Sequence, residues 1–272
     1  MNIAVIYFSA TGNTAKIAKT ISEYLKSHED VNIEEIDITY YSSRDKEIKL
    51  DKYEGVFFGF PIYALRAPKL LRDWLKTLEG KNKMASAFFT YGGVKVGIAH
   101  HNIKQILEEK DFQVVSTGEF LGKHTSNLAG WTLMSDRPNQ EDLNIAKEYA
   151  EKTLMRFMGK DPGLVVFDAP ELTEKQVDRT EESANKRRIP PSRHGEECSL
   201  CKTCEENCPT NAMDAESGEA NPEKCISCLK CVDNCLDVAL KVADRKKMFA
   251  LMEKALNLTP EILASRKSKY FL

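Results

Sequence analysis

All eight cysteines of the 272-residue chain fall in two short runs, "CSLCKTCEENCP" (Cys198–Pro209) and "CISCLKCVDNC" (Cys225–Cys235). Each run has the spacing C-x2-C-x2-C-x3-C: Cys198, Cys201, Cys204 and Cys208, then Cys225, Cys228, Cys231 and Cys235. Thiolates are soft ligands, and this spacing is that of iron–sulfur ligation. Three cysteines on one tight loop reach three corners of a cuboidal cluster, while the fourth lies on the following turn and faces a second cluster. Pro209 completes the signature of the first run; Leu236 stands at the corresponding place in the second. Zinc fits less well, because its knuckles pair two cysteines and close with four ligands. Disulfides fit worse still. Ile3–Phe8 follows Met1 with no basic segment or cleavage site, which predicts a cytoplasmic protein with reduced thiols.

The residues before the cysteines alternate strand and helix patterns. "NIAVIYF" (Asn2–Phe8) reads as a buried strand, and Ile17, Ala18, Ile21 and Leu25 share one face of a helix. "VNIEEIDIT", "GVFFGF", "MASAFFTY" and "FQVVSTGEF" supply four more strands. Between and after them run helices marked by Leu70, Leu71, Trp74, Leu75 and Leu78, by Ile103, Ile106 and Leu107, and by Ala146, Tyr149, Ala150 and Phe157. The last is predicted to start near Pro138. Five strands joined by helices imply a parallel α/β sheet covered on both faces, with ligands bound beyond the strands' carboxyl ends.

Three loops lie at that edge. "SATGNT" (9–14) opens a helix and offers backbone N–H groups and hydroxyls without a cationic side chain, which suits one phosphate. It is neither a Walker loop nor a G-x-G-x-x-G dinucleotide loop. "PIYALRAP" follows the third strand and "TYGGVKVG" the fourth; Tyr63 and Tyr91 offer flat faces for stacking. Taken singly, each loop reads equally as a helix cap or an ordinary aromatic position.

Together "SATGNT", "GFPIYALRAP" and "TYGG" resemble the three flavin loops of flavodoxins. The resemblance covers about residues 1–158. It implies a flavodoxin-like doubly wound five-stranded parallel sheet of order 2-1-3-4-5 with bound FMN. Ser9, Thr11, Gly12, Asn13 and Thr14 would hold the phosphate, and Pro61, Ile62, Tyr63, Tyr91, Gly92 and Gly93 would surround the isoalloxazine ring. After the fifth strand the chain reads "LGKHTSNLAGW", where relatives with a ferredoxin fusion are expected to read Met-Pro…Asn-Tyr. Lys123 or His124 would add positive charge if this loop lies on the flavin; a solvated loop is the alternative.

Residues 195–240 resemble a bacterial two-cluster ferredoxin. The resemblance implies two [4Fe-4S] clusters with crossed ligation: Cys198, Cys201, Cys204 and Cys235 for one, Cys225, Cys228, Cys231 and Cys208 for the other. The expected organisation is an FMN domain over residues 1–160, a linker over 161–194, a smaller α+β ferredoxin domain over 195–241, and a helical tail over 242–272. Within the linker, the 26 residues Ala169–His194 are polar and end in a Pro-Pro pair; as flexible coil they would separate their ends by about 28 Å. Packing, not tethering, must therefore bring the cofactors together. Lys186, Arg187, Arg188 and Arg193 form a basic run that reads as a solvated face or as a dock for the acidic cysteine module. In the tail, Met248, Leu251, Met252, Ala255 and Leu256 share a helical face, and "SRKSKYFL" is expected to dock on the main body.

Net charge is −2, but residues 195–240 carry ten Asp/Glu against three Lys/Arg, which leaves +5 elsewhere. This does not favour nucleic acid, and no run is long enough to span a membrane. The fused arrangement resembles flavodoxin–ferredoxin proteins of anaerobic microbes and implies electron transfer between FMN, the two clusters and a redox partner protein or small-molecule acceptor. No acid/base or nucleophilic constellation stands out, so no catalytic side chain is assigned. A flavin-dependent reductase acting on an organic substrate is the competing reading, and a non-redox binding module a third. Self-association across the flavin edge, giving a homodimer, is a further expectation.

Overall fold

A computed structural model describes residues 1–195 and 197–272; Glu196, inside the expected ferredoxin domain, lies outside the described residues. The first part runs β1 (Asn2–Tyr7), α1 (Asn13–Leu25), β2 (Asn32–Asp37), α2 (Tyr41–Arg44), β3 (Gly55–Pro61), α3 (Lys69–Leu75), β4 (Lys83–Tyr91), α4 (Ala99–Glu109), β5 (Phe112–Leu121), a 3-10 turn (Thr125–Ala129) and α5 (Gln140–Phe157). The five strands pair in parallel in the order 2-1-3-4-5.

Alternate residues of each strand feed two separate cores, as the period of two requires. Ala4, Ile6, Val56, Phe58, Ala87 and Phe89 face α3 and α4, which cover them with Leu71, Trp74, Ile103 and Leu107. Ile3, Val5, Phe57 and Phe88 face α1 and α5, which supply Ile17, Ile21, Tyr149 and Phe157. This two-sided burial explains why the strands read as continuous apolar runs. Phe57 is fully buried between Tyr149 (5.8 Å) and Phe157 (5.3 Å), so truncating it to alanine would cost about 3–5 kcal/mol.

Helix α5 begins at Gln140 rather than at Pro138. Asn139 caps it, accepting from the N–H groups of Glu141 (3.0 Å) and Asp142 (3.3 Å), while Asp142 Oδ2 accepts from Asn139 N–H at 2.8 Å. That reciprocal pair outweighs the preference of proline for the first turn.

The sheet also has a sixth strand that periodicity does not reveal. β10 (Lys269–Phe271), in the expected helical tail, runs antiparallel along β5 and covers its open edge. Ser268 fixes its approach, its Oγ accepting from Leu121 N–H (2.9 Å) and donating to Asp142 Oδ1 (2.6 Å). Three residues are too few to show alternation.

The linker contains one helix. α6 (Glu174–Lys186) is capped reciprocally by Thr173 and Gln176 and buries Val177. Beyond it, β6 (Ser192–Arg193), α7 (Thr203–Glu206), β7 (Met213–Asp214), β8 (Glu219–Ala220), α8 (Lys230–Asp233) and β9 (Leu240–Lys241) form the smaller α+β unit, with sheet order 7-8-6-9. β6 falls just before residue 195 and pairs with both β8 and β9, so the small sheet draws in the end of the expected linker.

The tail continues as α9 (Lys246–Ala255) and α10 (Pro260–Ser265). Here most of the expected apolar face is turned outward: Leu251 and Leu256 are exposed, Met248 packs partly inward, and Phe249 is the buried anchor. Phe249 stacks on Trp131 at 4.8 Å with the rings 8° from parallel, and Trp131 Nε1 donates to Glu253 at 2.6 Å. An aromatic partner and a hydrogen bond set the rotation of this short helix.

Candidate functional site

The loop from Ser9 to Thr14 leaves β1 and enters α1 through Gly12, whose φ of 85° favours glycine. Gly12 at the N-cap offers no side chain to α1, so the N–H groups of Asn13 and Thr14 are left as an anion cradle at the loop. Two of the loop's hydroxyls hold its shape instead of facing outward. Ser9 Oγ accepts from Ala15 N–H at 3.0 Å, and Thr14 Oγ1 shares a hydrogen bond with Thr90 Oγ1 at 2.7 Å. Asn13 Nδ2 donates to the Lys123 carbonyl at 2.8 Å. Thr11 alone among these side chains has no hydrogen-bond partner among the described residues, which leaves its hydroxyl for a ligand. The donor set fits one phosphate.

Pro61, Ile62 and Tyr63 leave β3 on the same sheet edge, and Tyr91, Gly92 and Gly93 leave β4. Tyr63 and Ile62 are half-buried, whereas Tyr91 is only 7% exposed and belongs to the core. Burial pushes both phenols up; for Tyr63 the Cys228 thiol adds to the rise and Thr125 opposes it. His124 lies against Gly92, where an added Cβ would stand 2.3 Å from its ring. It also packs on Trp131 at 4.6 Å. His124 Nδ1 accepts from Ser126 N–H at 3.1 Å, and burial holds the ring neutral, its pKa lowered to about 4. The third loop is therefore flanked by a neutral imidazole, not a cation; Lys123 is exposed.

The cysteines gather in two groups of four that cross the two runs. Cys198, Cys201, Cys204 and Cys235 line one pocket, and Cys208, Cys225, Cys228 and Cys231 line a second. The ligand loops repeat one conformation, with left-handed Leu200 and Lys202 in the first and Ser227 and Leu229 in the second. Alternating turns of this kind aim successive N–H groups inward. Ala212 N–H reaches Cys208 Sγ at 3.2 Å and Ser227 N–H reaches Cys225 Sγ at 3.4 Å. Burial and the neighbouring thiols push Cys228 up to about 12 and raise Cys225 and Cys231. Four thiolates in one apolar cavity are unfavourable by themselves, and bound iron is the natural counter-charge. The donor set fits iron–sulfur ligation.

The second group abuts the sheet edge. Cys228 is part of the core that contains Tyr91 and Val96, with Ile62, Tyr63 and Ile226 packed against it. Sequence patterns missed the residues that hold this junction. Arg44 Nη1 donates to the carbonyls of Ile38 (2.6 Å), Thr39 (2.9 Å) and Tyr40 (3.2 Å), and its Nη2 donates to the Pro209 carbonyl. Lys230 lies 5.4 Å from the Tyr40 ring. Of the basic run, Arg188 donates to the Cys225 carbonyl (3.1 Å) and Arg193 to that of Glu216 (2.9 Å), while Lys186 and Arg187 are exposed. Arg66, in the second loop, is 5% exposed and binds Asp178 and Glu181 of α6; Arg72 also binds Glu181 at 2.7 Å. A lone arginine in the apolar stretch "PIYALRAP" and an i, i+3 acid pair in the linker were the available signs.

The flavodoxin domain family matches residues 4–132. A flavodoxin of Clostridium saccharobutylicum is 30% identical over 159 residues, covering 56% of this chain and 94% of that protein. The chain belongs to the flavodoxin family. Its later part matches the 4Fe-4S dicluster domain family over residues 149–253. Among solved structures, an archaeal flavodoxin shares 21% identity at a TM-score of 0.43, covering 58% of this chain and 99% of that one. The rubredoxin oxygen:oxidoreductase of Desulfovibrio gigas shares 18% at 0.44, covering 60% and 37%. Flavodoxin membership implies FMN and the dicluster match implies iron–sulfur clusters, so this flavodoxin points to an electron-transfer flavo-iron–sulfur protein. No helix among the described residues is long and apolar enough to cross a membrane.

Proposed function

We propose that this flavodoxin passes electrons between FMN at the sheet edge, two [4Fe-4S] clusters in the crossed cysteine groups, and an external redox partner. The observation that carries this reading is the packing of Tyr63 and Cys228 in one core, which joins the second flavin loop to the inner cysteine group. When bound, FMN exchanges electrons in pairs or singly, and each cluster exchanges them one at a time.

The remaining work belongs to the protein. The N–H groups at the start of α1 and the Thr11 hydroxyl would bind the phosphate. Ile62, Tyr63 and the Gly92–Gly93 backbone would bound the ring, with His124 behind Gly92 as a neutral wall. Ile226 and Cys228 keep water out of the junction. Arg44, Arg188 and α6 hold the two units in register without relying on a flexible tether.

Anaerobically purified protein should contain FMN and about eight irons per chain. Stopped-flow reduction, following flavin and cluster absorbance separately, should show the two equilibrating within the chain at a rate independent of protein concentration. A concentration-dependent rate, or a colourless zinc protein, would refute the reading.

A further inference from the structure

The cysteine unit contains one ligand loop twice. Cys198-Ser199-Leu200-Cys201 corresponds to Cys225-Ile226-Ser227-Cys228, and Cys235-Leu236-Asp237-Val238 to Cys208-Pro209-Thr210-Asn211. The backbones correspond too: φ is 55° at Leu200 and 53° at Ser227, and 55° at Val238 and 52° at Asn211.

The two copies meet different surroundings. In the inner copy, Pro209 is buried with its carbonyl on Arg44, and Ile226 packs on the flavodoxin core. In the outer copy, Leu200 is 51% exposed, Leu236 75% and Val238 69%. These three form one patch, because Ser199 N–H (2.8 Å) and Oγ (2.7 Å) donate to Asp237 Oδ2 and bring their loops side by side. The patch borders the outer cavity, which Leu200 and Asp237 help to line and where Cys201 is exposed.

Val238 is costly in this position. A β-branched residue rarely adopts left-handed backbone, whereas its counterpart Asn211 tolerates it. At 69% exposure, the Val238 side chain gains little packing within the chain to offset that strain. The unit around the patch is acidic, with ten carboxylates against three cations over residues 195–240, and Glu197, Glu206 and Asp233 are exposed.

We propose that Leu200, Leu236 and Val238 form the docking face for a redox protein that presents an apolar patch ringed by lysines or arginines. The proposal rests on the electron-transfer reading above and names its partner class. The apolar centre would exclude water beside the outer cysteine group, and the net acidic charge of the unit would attract a basic partner with a strong dependence on salt.

The test uses the full, cofactor-loaded chain and mitochondrial cytochrome c, a small basic redox protein, as probe. Calorimetric titration at low salt should give binding that weakens about tenfold in a Leu200→Ser/Leu236→Asn/Val238→Asn variant and falls as salt rises. Val166→Asn, at an exposed site far from the cysteines in sequence, should leave binding unchanged. Val238→Asn alone should raise Tm by about 2 °C as the backbone strain is relieved. Equal affinity of patch variant and parent, or a lower Tm for Val238→Asn, would overturn the proposal. So would a parent that sediments as a dimer and a patch variant that does not, because the occupant would then be a second copy of this chain. Flavin and iron are assayed on the same samples. A parent lacking either overturns the electron-transfer reading and the docking face with it, whereas a fully loaded parent that fails the titration overturns the docking face alone.

Discussion

Arg66 Nη2 donates to Asp178 Oδ1 at 2.7 Å, joining the loop after β3 to a helix residue 112 positions further along the chain. Its neighbour Glu181 is almost enclosed, with 14% of its side chain exposed, and takes both Arg66 and Arg72. Replacing Arg66 with methionine keeps the aliphatic bulk but leaves Glu181 with one cation. The expected loss is about 2–4 kcal/mol, since a buried carboxylate loses a charged partner. Hydrogen exchange should rise across residues 174–186; unchanged protection there would show that the pair does not hold α6.

Thr11 is the loop hydroxyl left for a ligand. Thr11→Val should weaken FMN binding about tenfold, the effect of one hydrogen bond to a charged group, at unchanged fold stability. Thr14→Val removes the bond to Thr90 instead and should lower the stability of the apoprotein. Fluorescence titration of apoprotein with FMN checks the first, and thermal melting the second.

Crossed ligation gives a sharp expectation. Cys208→Ser and Cys225→Ser should lose the same half of the iron, with matching spectra, although the two residues belong to different runs. Cys235→Ser should instead match Cys198→Ser. If Cys208→Ser matches Cys198→Ser, the grouping is by run and the crossed assignment is wrong.

His124 ties stability to pH. Its ring is neutral in the fold, lowered to about 4 by burial, whereas the unfolded chain protonates it below about 6.5. The stability it contributes is complete above about pH 6.5 and is lost as pH falls towards 4. Between about pH 7.5 and 5.5 the loss is about 1 kcal/mol, and a His124→Phe variant should lack it. His100, also lowered by burial, is common to both proteins and cancels in the difference. Melting both proteins at the two pH values measures this, and parallel shifts would rule it out.

Ser268 is 3% exposed, and its hydroxyl bonds both Leu121 N–H and Asp142. Ser268→Ala leaves a fully buried carboxylate and a strand-end N–H short of a partner. It should cost about 1–3 kcal/mol. Denaturant titration of parent and variant decides it.

The sequence was most informative where the physics is local. Strands β1 and β3 announced themselves because both faces are buried, and the helices because Ile17, Ile21, Tyr149 and Phe157 recur on one side. The cysteine spacing was equally plain, because covalent ligation demands fixed offsets. Contacts between distant segments left no such trace. Arg44 to Pro209, Arg66 to Glu181 and Phe249 to Trp131 each join single residues that carry no periodic pattern. His124 shows the same limit from another side: sequence left a charged or a solvated loop open, and only the packing against Gly92 and Trp131 shows the ring buried and neutral. Thr14 and Ser9 belong to the expected phosphate loop, and their bonds to Thr90 and to Ala15 N–H are contacts that no motif records.

The strand that covers β5 lies beyond the cysteine unit, with Ser268 standing 147 residues after its partner Leu121. During synthesis the flavodoxin unit must therefore wait, one flank uncovered, until the cysteine unit has left the ribosome. Synthesis of the cysteine unit and closure of the sheet become successive events. A newborn chain stalled between them would offer β5 to any neighbour with a spare strand.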